Sequence, residues 1–103
     1  MTELSYKIFF KAISNSTRFR IITLLKKGPK NVSGICAALG FEQSRVSHNL
    51  KCLQTCGFVN TRVKGKNRIY ELDKKHIIPL LTAIEKYIKL YDRKLRSCEL
   101  IHK

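Results

Sequence analysis

A mainly α fold with one small β-hairpin (α+β) is predicted by three observations. Apolar residues recur at helical spacing through 2–13, 17–27, 32–39 and 43–56. At Phe58 the period changes to strand-like alternation, which returns after Lys64-Gly65-Lys66-Asn67. Between these regions, residues 31–57 read as two helices joined by a tight Gly-containing turn, the second helix polar and cationic. That order describes a helix-turn-helix followed by a basic wing, with a further helix at each end.

The first helix, about 2–13, places Leu4, Ile8, Phe9 and Ile13 on one face, and Tyr6 and Phe10 widen it beyond what one small core needs. Asn15 is the expected cap of the next helix, Thr17–Lys27, which should bury Phe19, Ile22 and Leu25 before Gly28-Pro29 stops it. In the helix-turn-helix, Asn31 caps a short helix with Val32, Ile35, Ala38 and Leu39 as its apolar stripe. Gly40 ends that helix and Phe41 plugs the corner. The second helix runs from Glu42 or Gln43 to Cys56, with Val46, Leu50 and Leu53 inward and Gly57 closing it. The wing spans 58–72: strands Phe58–Val63 and Arg68–Leu72, with Gly65 and Asn67 as the residues tolerant of positive φ. Asp73 is the expected cap of a long closing helix, 78–100. Its stripe of Ile77, Leu80, Leu81, Ile84, Tyr87, Ile88, Tyr91 and Leu95 is too long for one small domain to bury alone. A second copy is the natural sink, so a two-fold homodimer is expected through Leu4, Ile8, Leu81, Ile84, Ile88, Tyr91 and Leu95.

At 103 residues the chain is read as one domain, 1–103, with no repeats or low-complexity segments. Lys and Arg number 21 against 7 Asp and Glu, a net charge of +14, which predicts a polyanionic partner and steep salt dependence. Nucleic acid is the simplest such partner. An anionic membrane surface competes, but no apolar run reaches the length of a span and the N-terminus lacks a signal peptide's order. A cytoplasmic protein is therefore expected, in which the four cysteines are free thiols unless they bind metal or sense redox state.

In this order, ISNSTRFRIITLL (13–25), ICAALGFEQSRVSHNLKCLQTCGFV (35–59) and TRVKGKNRIYEL (61–72) make the chain resemble the ArsR/SmtB family of small dimeric transcriptional repressors. The similarity covers about 5–95. The resemblance implies double-stranded DNA as partner, with bases read by Gln43, Ser44, Ser47 and His48, and Arg45 and Lys51 on phosphate. It also implies backbone contacts from the wing through Arg62, Lys64, Lys66 and Arg68.

The chain departs from the family at its metal sites. The thiolate pair that some members carry at the start of the third helix falls on Asn31 and Ser33, and the Asp-x-His start used by others reads Asp73-Lys74-Lys75-His76. No cofactor and no metal site is therefore expected, and the effector is left open between small molecule, metal and redox. Cys36, Cys52 and Cys56 serve as small hydrophobes in one reading. In another, Cys52 and Cys56, one turn apart, share a metal or couple oxidation to DNA release. Cys98 and His102 are a second metal candidate, completed only across a dimer; a frayed tail is the alternative. Catalysis has little support: the three His are scattered, the seven acids include no close pair in a plausible cleft, and no Gly-rich phosphate loop or nucleophile elbow is present.

The reading reached is a dimeric, sequence-specific DNA-binding regulator, a repressor, on a pseudo-palindromic operator. The alternative is an architectural DNA-coating protein using the same charge without reading bases; RNA or protein contact is a third use of such a domain.

Overall fold

The computed structural model describes residues 2–102, except the side chain of His102. The elements are α1 (Glu3–Ser14), α2 (Ser16–Leu25), α3 (Val32–Leu39), α4 (Gln43–Thr55), β1 (Val59–Lys64), β2 (Asn67–Leu72), α5 (Ile77–Arg96) and α6 (Glu99–His102). They form two compact units, residues 1–73 and 74–103.

In the first unit the helix ends follow local chemistry. Thr2, Asn15 and Asn31 each accept a backbone N–H with their side chains, at Ser5, Arg18 and Gly34. Gly40 ends α3 at φ 70°, a left-handed conformation that favours glycine. Ile21, Ile22, Leu25, Ile35, Val46, Leu50, Leu53, Phe58, Val59 and Leu72 make the core where α2, α3, α4 and the base of the hairpin meet. The expected face of α2 is corrected: Ile21 is fully buried, whereas Phe19 is 51% exposed. Both faces of this helix are apolar, and its rotation is set by Thr17 and Arg18, which are drawn toward α4. On α1 the buried residue is Ala12; Phe9 is half-buried, its ring 5.6 Å from Phe58.

Strands β1 and β2 are antiparallel, with Val59 opposite Leu72 and Lys64 opposite Asn67. The loop is thus two residues, Gly65-Lys66. Gly65 has φ 62° and Asn67, in the strand, is not left-handed, as in hairpin turns that need glycine at their first central position alone. Lys30 forms an isolated bridge with Tyr70, with hydrogen bonds of 3.0 and 2.9 Å, and Asn31 Nδ2 donates to Asn67 Oδ1 at 3.4 Å. These contacts stitch the lead-in of α3 to the hairpin.

In the second unit, α5 begins at Ile77. Pro79 stands in the first turn, where its missing N–H costs nothing. The residue at the cap position is His76, not Asp73, whose N–H instead donates to the Phe58 carbonyl at 3.0 Å and closes the hairpin. The expected single helix to residue 100 breaks at Ser97. There the Ser97 hydroxyl donates to the Lys94 carbonyl at 2.9 Å, and Arg93, Lys94 and Arg96 complement the negative end of the helix dipole. Among the described residues no helix is long and apolar enough to cross a membrane.

Candidate nucleic-acid interface

Helix α4 sorts its residues by face. Val46, Asn49, Leu50 and Leu53 are buried, while Gln43, Ser44, Ser47, His48 and Lys51 are exposed on the opposite arc. At 13 residues the helix is about 20 Å long, and a bare helix face of this kind fits a major groove about 12 Å wide. No carboxylate interrupts that face after Glu42.

Arg45 is exposed as well, but its side chain turns back toward α2. Its Nε and Nη2 both donate to Thr17 Oγ1, at 3.0 and 2.6 Å, and its guanidinium lies 3.8 Å from the centre of the Phe41 ring. Arg20 approaches the same ring at 5.2 Å. Its fork secures the start of α4 to α2 while the residue stays exposed, so the expected phosphate contact would share this guanidinium with Thr17. Sequence spacing could not show this, because Thr17 lies 28 residues away.

The wing presents Lys64, Lys66 and Arg68 as exposed cations around its two-residue tip. Arg62 is placed differently, its Nε 3.8 Å from Glu71 Oε1 on the neighbouring strand. A pair this exposed is weak, so Arg62 can exchange Glu71 for a phosphate.

The apolar residues expected at a dimer interface divide by exposure. Leu4 (64%), Ile8 (53%), Ile88, Tyr91 and Leu95 are exposed and Ile84 is half-buried. Leu81 is only 7% exposed within one chain. Tyr87 and Tyr91 stack at 4.7 Å along the exposed stripe of α5.

Cys52 in α4 and Cys56 at its C-cap lie one turn apart beside α1. Partial desolvation pushes the Cys56 thiol up from the ordinary thiol range. The neighbouring Cys52 adds to the rise through charge and hydrogen bonding, while Arg18 opposes it. An open cleft of about 300 Å³ runs from Cys56 along Ser5, Ile8, Phe9, Ala12 and Phe58. Cys36 is half-buried in α3, as a small hydrophobe would be. Cys98 precedes α6 rather than belonging to α5, so it and His102 do not share one continuous helix, and the His102 side chain lies outside the described residues. Asn31, at one of the family's thiolate positions, is occupied as the cap of α3. Among the described residues no three His, Cys, Asp or Glu side chains cluster as a metal site.

A family profile described as "Bacterial regulatory protein, arsR family" matches residues 15–61, the stretch from the cap of α2 to the middle of β1. The chain is 37% identical over 71 residues to the HTH-type transcriptional regulator NmtR of Mycobacterium tuberculosis, covering 69% of this chain and 59% of that protein. It is 30% identical over 92 residues to the regulator CmtR of Mycobacterium bovis, covering 89% and 78%. The crystal structure of M. tuberculosis Rv0081 superposes with a TM-score of 0.77 at 32% identity, covering 89% of this chain and 98% of that one. The chain spans about six-tenths of the length of several of its curated relatives. These relatives are transcriptional regulators, not enzymes, and the fold is their winged helix-turn-helix. The chain belongs to the ArsR family of bacterial regulatory proteins.

Proposed function

We propose that this chain is a homodimeric, sequence-specific DNA-binding repressor acting in the cytoplasm on a pseudo-palindromic operator. The observation that carries the reading is the uninterrupted exposed arc of α4, with Gln43, Ser44, Ser47 and His48 set for base edges and Lys51 for phosphate. The wing cations Lys64, Lys66 and Arg68, with Arg62 released from Glu71, take the flanking backbone. The exposed apolar residues of α1 and α5 supply the two-fold contact, which sets two copies of α4 about one helical turn of DNA apart. The whole chain, 1–103, acts as one DNA-binding module in this reading.

Cys52 and Cys56 are the proposed point of control. One turn apart at the end of the helix that reads DNA, they are close enough to share a soft metal ion or to couple oxidation to DNA release. Cys98 and His102 are kept as a lesser site, completed only by a second copy.

Selection of bound duplexes from a random pool, with and without reductant and with added zinc, tests the reading. A palindromic motif bound at least ~10³-fold more tightly than random DNA at physiological salt is expected, weakening on oxidation. A reporter promoter carrying that motif should fall silent when the chain is present. Tight, salt-sensitive binding without any enriched motif would overturn the proposal in favour of a DNA-coating protein, which the net charge of +14 also suits.

A further inference from the structure

The Thr17-Arg18 step is not used by the DNA face, yet both residues reach α4. Arg18 Nε donates to the Ala12 carbonyl at 2.8 Å and its Nη2 to the Lys11 carbonyl at 3.2 Å. Its Nη1 donates to Asn49 Oδ1 at 3.3 Å. Asn49, only 8% exposed, donates its own Nδ2 to the Arg45 carbonyl at 2.8 Å, and Arg45 returns to Thr17. Two adjacent residues of α2 thus grip two residues of α4 one turn apart. The same guanidinium caps the Ala12 and Lys11 carbonyls in the last turn of α1, the latter shared with the Ser14 hydroxyl at 3.5 Å.

We infer that Arg18 is a positioning residue for DNA reading, fixing through Asn49 the rotation of α4 about its own axis relative to α1. The inference rests on the proposed DNA-binding function. Burial of Val46, Leu50 and Leu53 holds α4 against the core, but apolar burial is non-directional and sets rotation only loosely. The hydrogen bonds at positions 45 and 49 lie on the edge between the buried arc and the base-facing arc, where they resist rotation most directly. Base contacts from short side chains such as Ser44 and Ser47 depend on that angle. Phosphate contacts from long, flexible lysines do not.

The test compares Arg18→Gln, Arg18→Lys, Asn49→Ala and the double variant Arg18→Gln/Asn49→Ala, measuring affinity for the selected operator and for random duplex across salt. Arg18→Gln should lower the operator-to-random ratio about tenfold while random-duplex affinity and the salt slope hold, and Arg18→Lys should recover part of it. The double variant should lose little beyond the worse single variant. Equal losses on both DNAs with a lowered urea midpoint would overturn the proposal in favour of a merely structural role. A salt slope flatter by about one would overturn it in favour of a phosphate contact, and additive losses would show that Arg18 does not act through Asn49. If selection yields no motif, the clamp is read without DNA. In Arg18→Gln the Asn49 side-chain amide resonances should move and α4 amides exchange faster than those of α3; unchanged spectra would overturn the inference.

Discussion

Ser47 and His48 carry short or planar side chains on the exposed arc of α4, whereas Lys64 and Lys66 are long cations at the hairpin tip. The difference predicts two separable losses. Ser47→Ala or His48→Ala should reduce preference for the operator by ~1–3 kcal/mol while leaving random-duplex binding near its original value. Lys64→Ala or Lys66→Ala should weaken every duplex alike and flatten log K against log salt by about one per contact. Anisotropy titrations on both duplexes at several salt concentrations distinguish these cases, and identical behaviour of the two pairs would refute the division of labour. Cys56 gives a pH prediction. With its thiol pushed above the ordinary range by desolvation and by Cys52, alkylation at neutral pH should be slower than for a free thiol, and Cys52→Ser should speed it. The folded chain favours the protonated thiol. The resulting stability is therefore complete below the ordinary thiol pKa and fades as pH rises through the raised value, a trend that urea midpoints against pH would show.

At the scale of elements, the hinge between α3 and α4 depends on Gly40 at φ 70°. Nothing crowds a Cβ built there, so the cost of Gly40→Ala is conformational, about 1 kcal/mol, and should appear as a lower urea midpoint with the same m-value. Where caps, turns and periodicity decide an element, the sequence was legible: Asn15, Asn31 and Gly40 stand where local chemistry puts them. It was less legible where a distant partner decides. Phe19 and Ile21 are equally apolar, and Ile21 lies on the face of Thr17, whose hydroxyl accepts from Arg45 of α4, 28 residues away. Arg45 is an exposed cation, and its bonds to Thr17 join residues too far apart in sequence for spacing to reveal. The end of α5 turned on one hydroxyl at Ser97, too small a signal to outweigh the continuing apolar pattern.

For the whole molecule, Leu80, Tyr87, Ile88, Tyr91 and Leu95 are exposed along α5, and the proposed homodimer would cover them. Ile84→Glu or Ile88→Lys should give monomers by light scattering and lose operator affinity far more than random-duplex affinity, since each half-site then binds alone. A dimer that survives both changes would refute this interface. The stitching of Lys30 to Tyr70 and of Asn31 to Asn67 has a consequence of its own. Because the lead-in of α3 and the hairpin share hydrogen bonds, the wing is a caliper arm of fixed length, not a flap that closes on arrival. Little ordering entropy remains to be lost when DNA docks, so discrimination should reside in how long a duplex stays rather than how fast it comes.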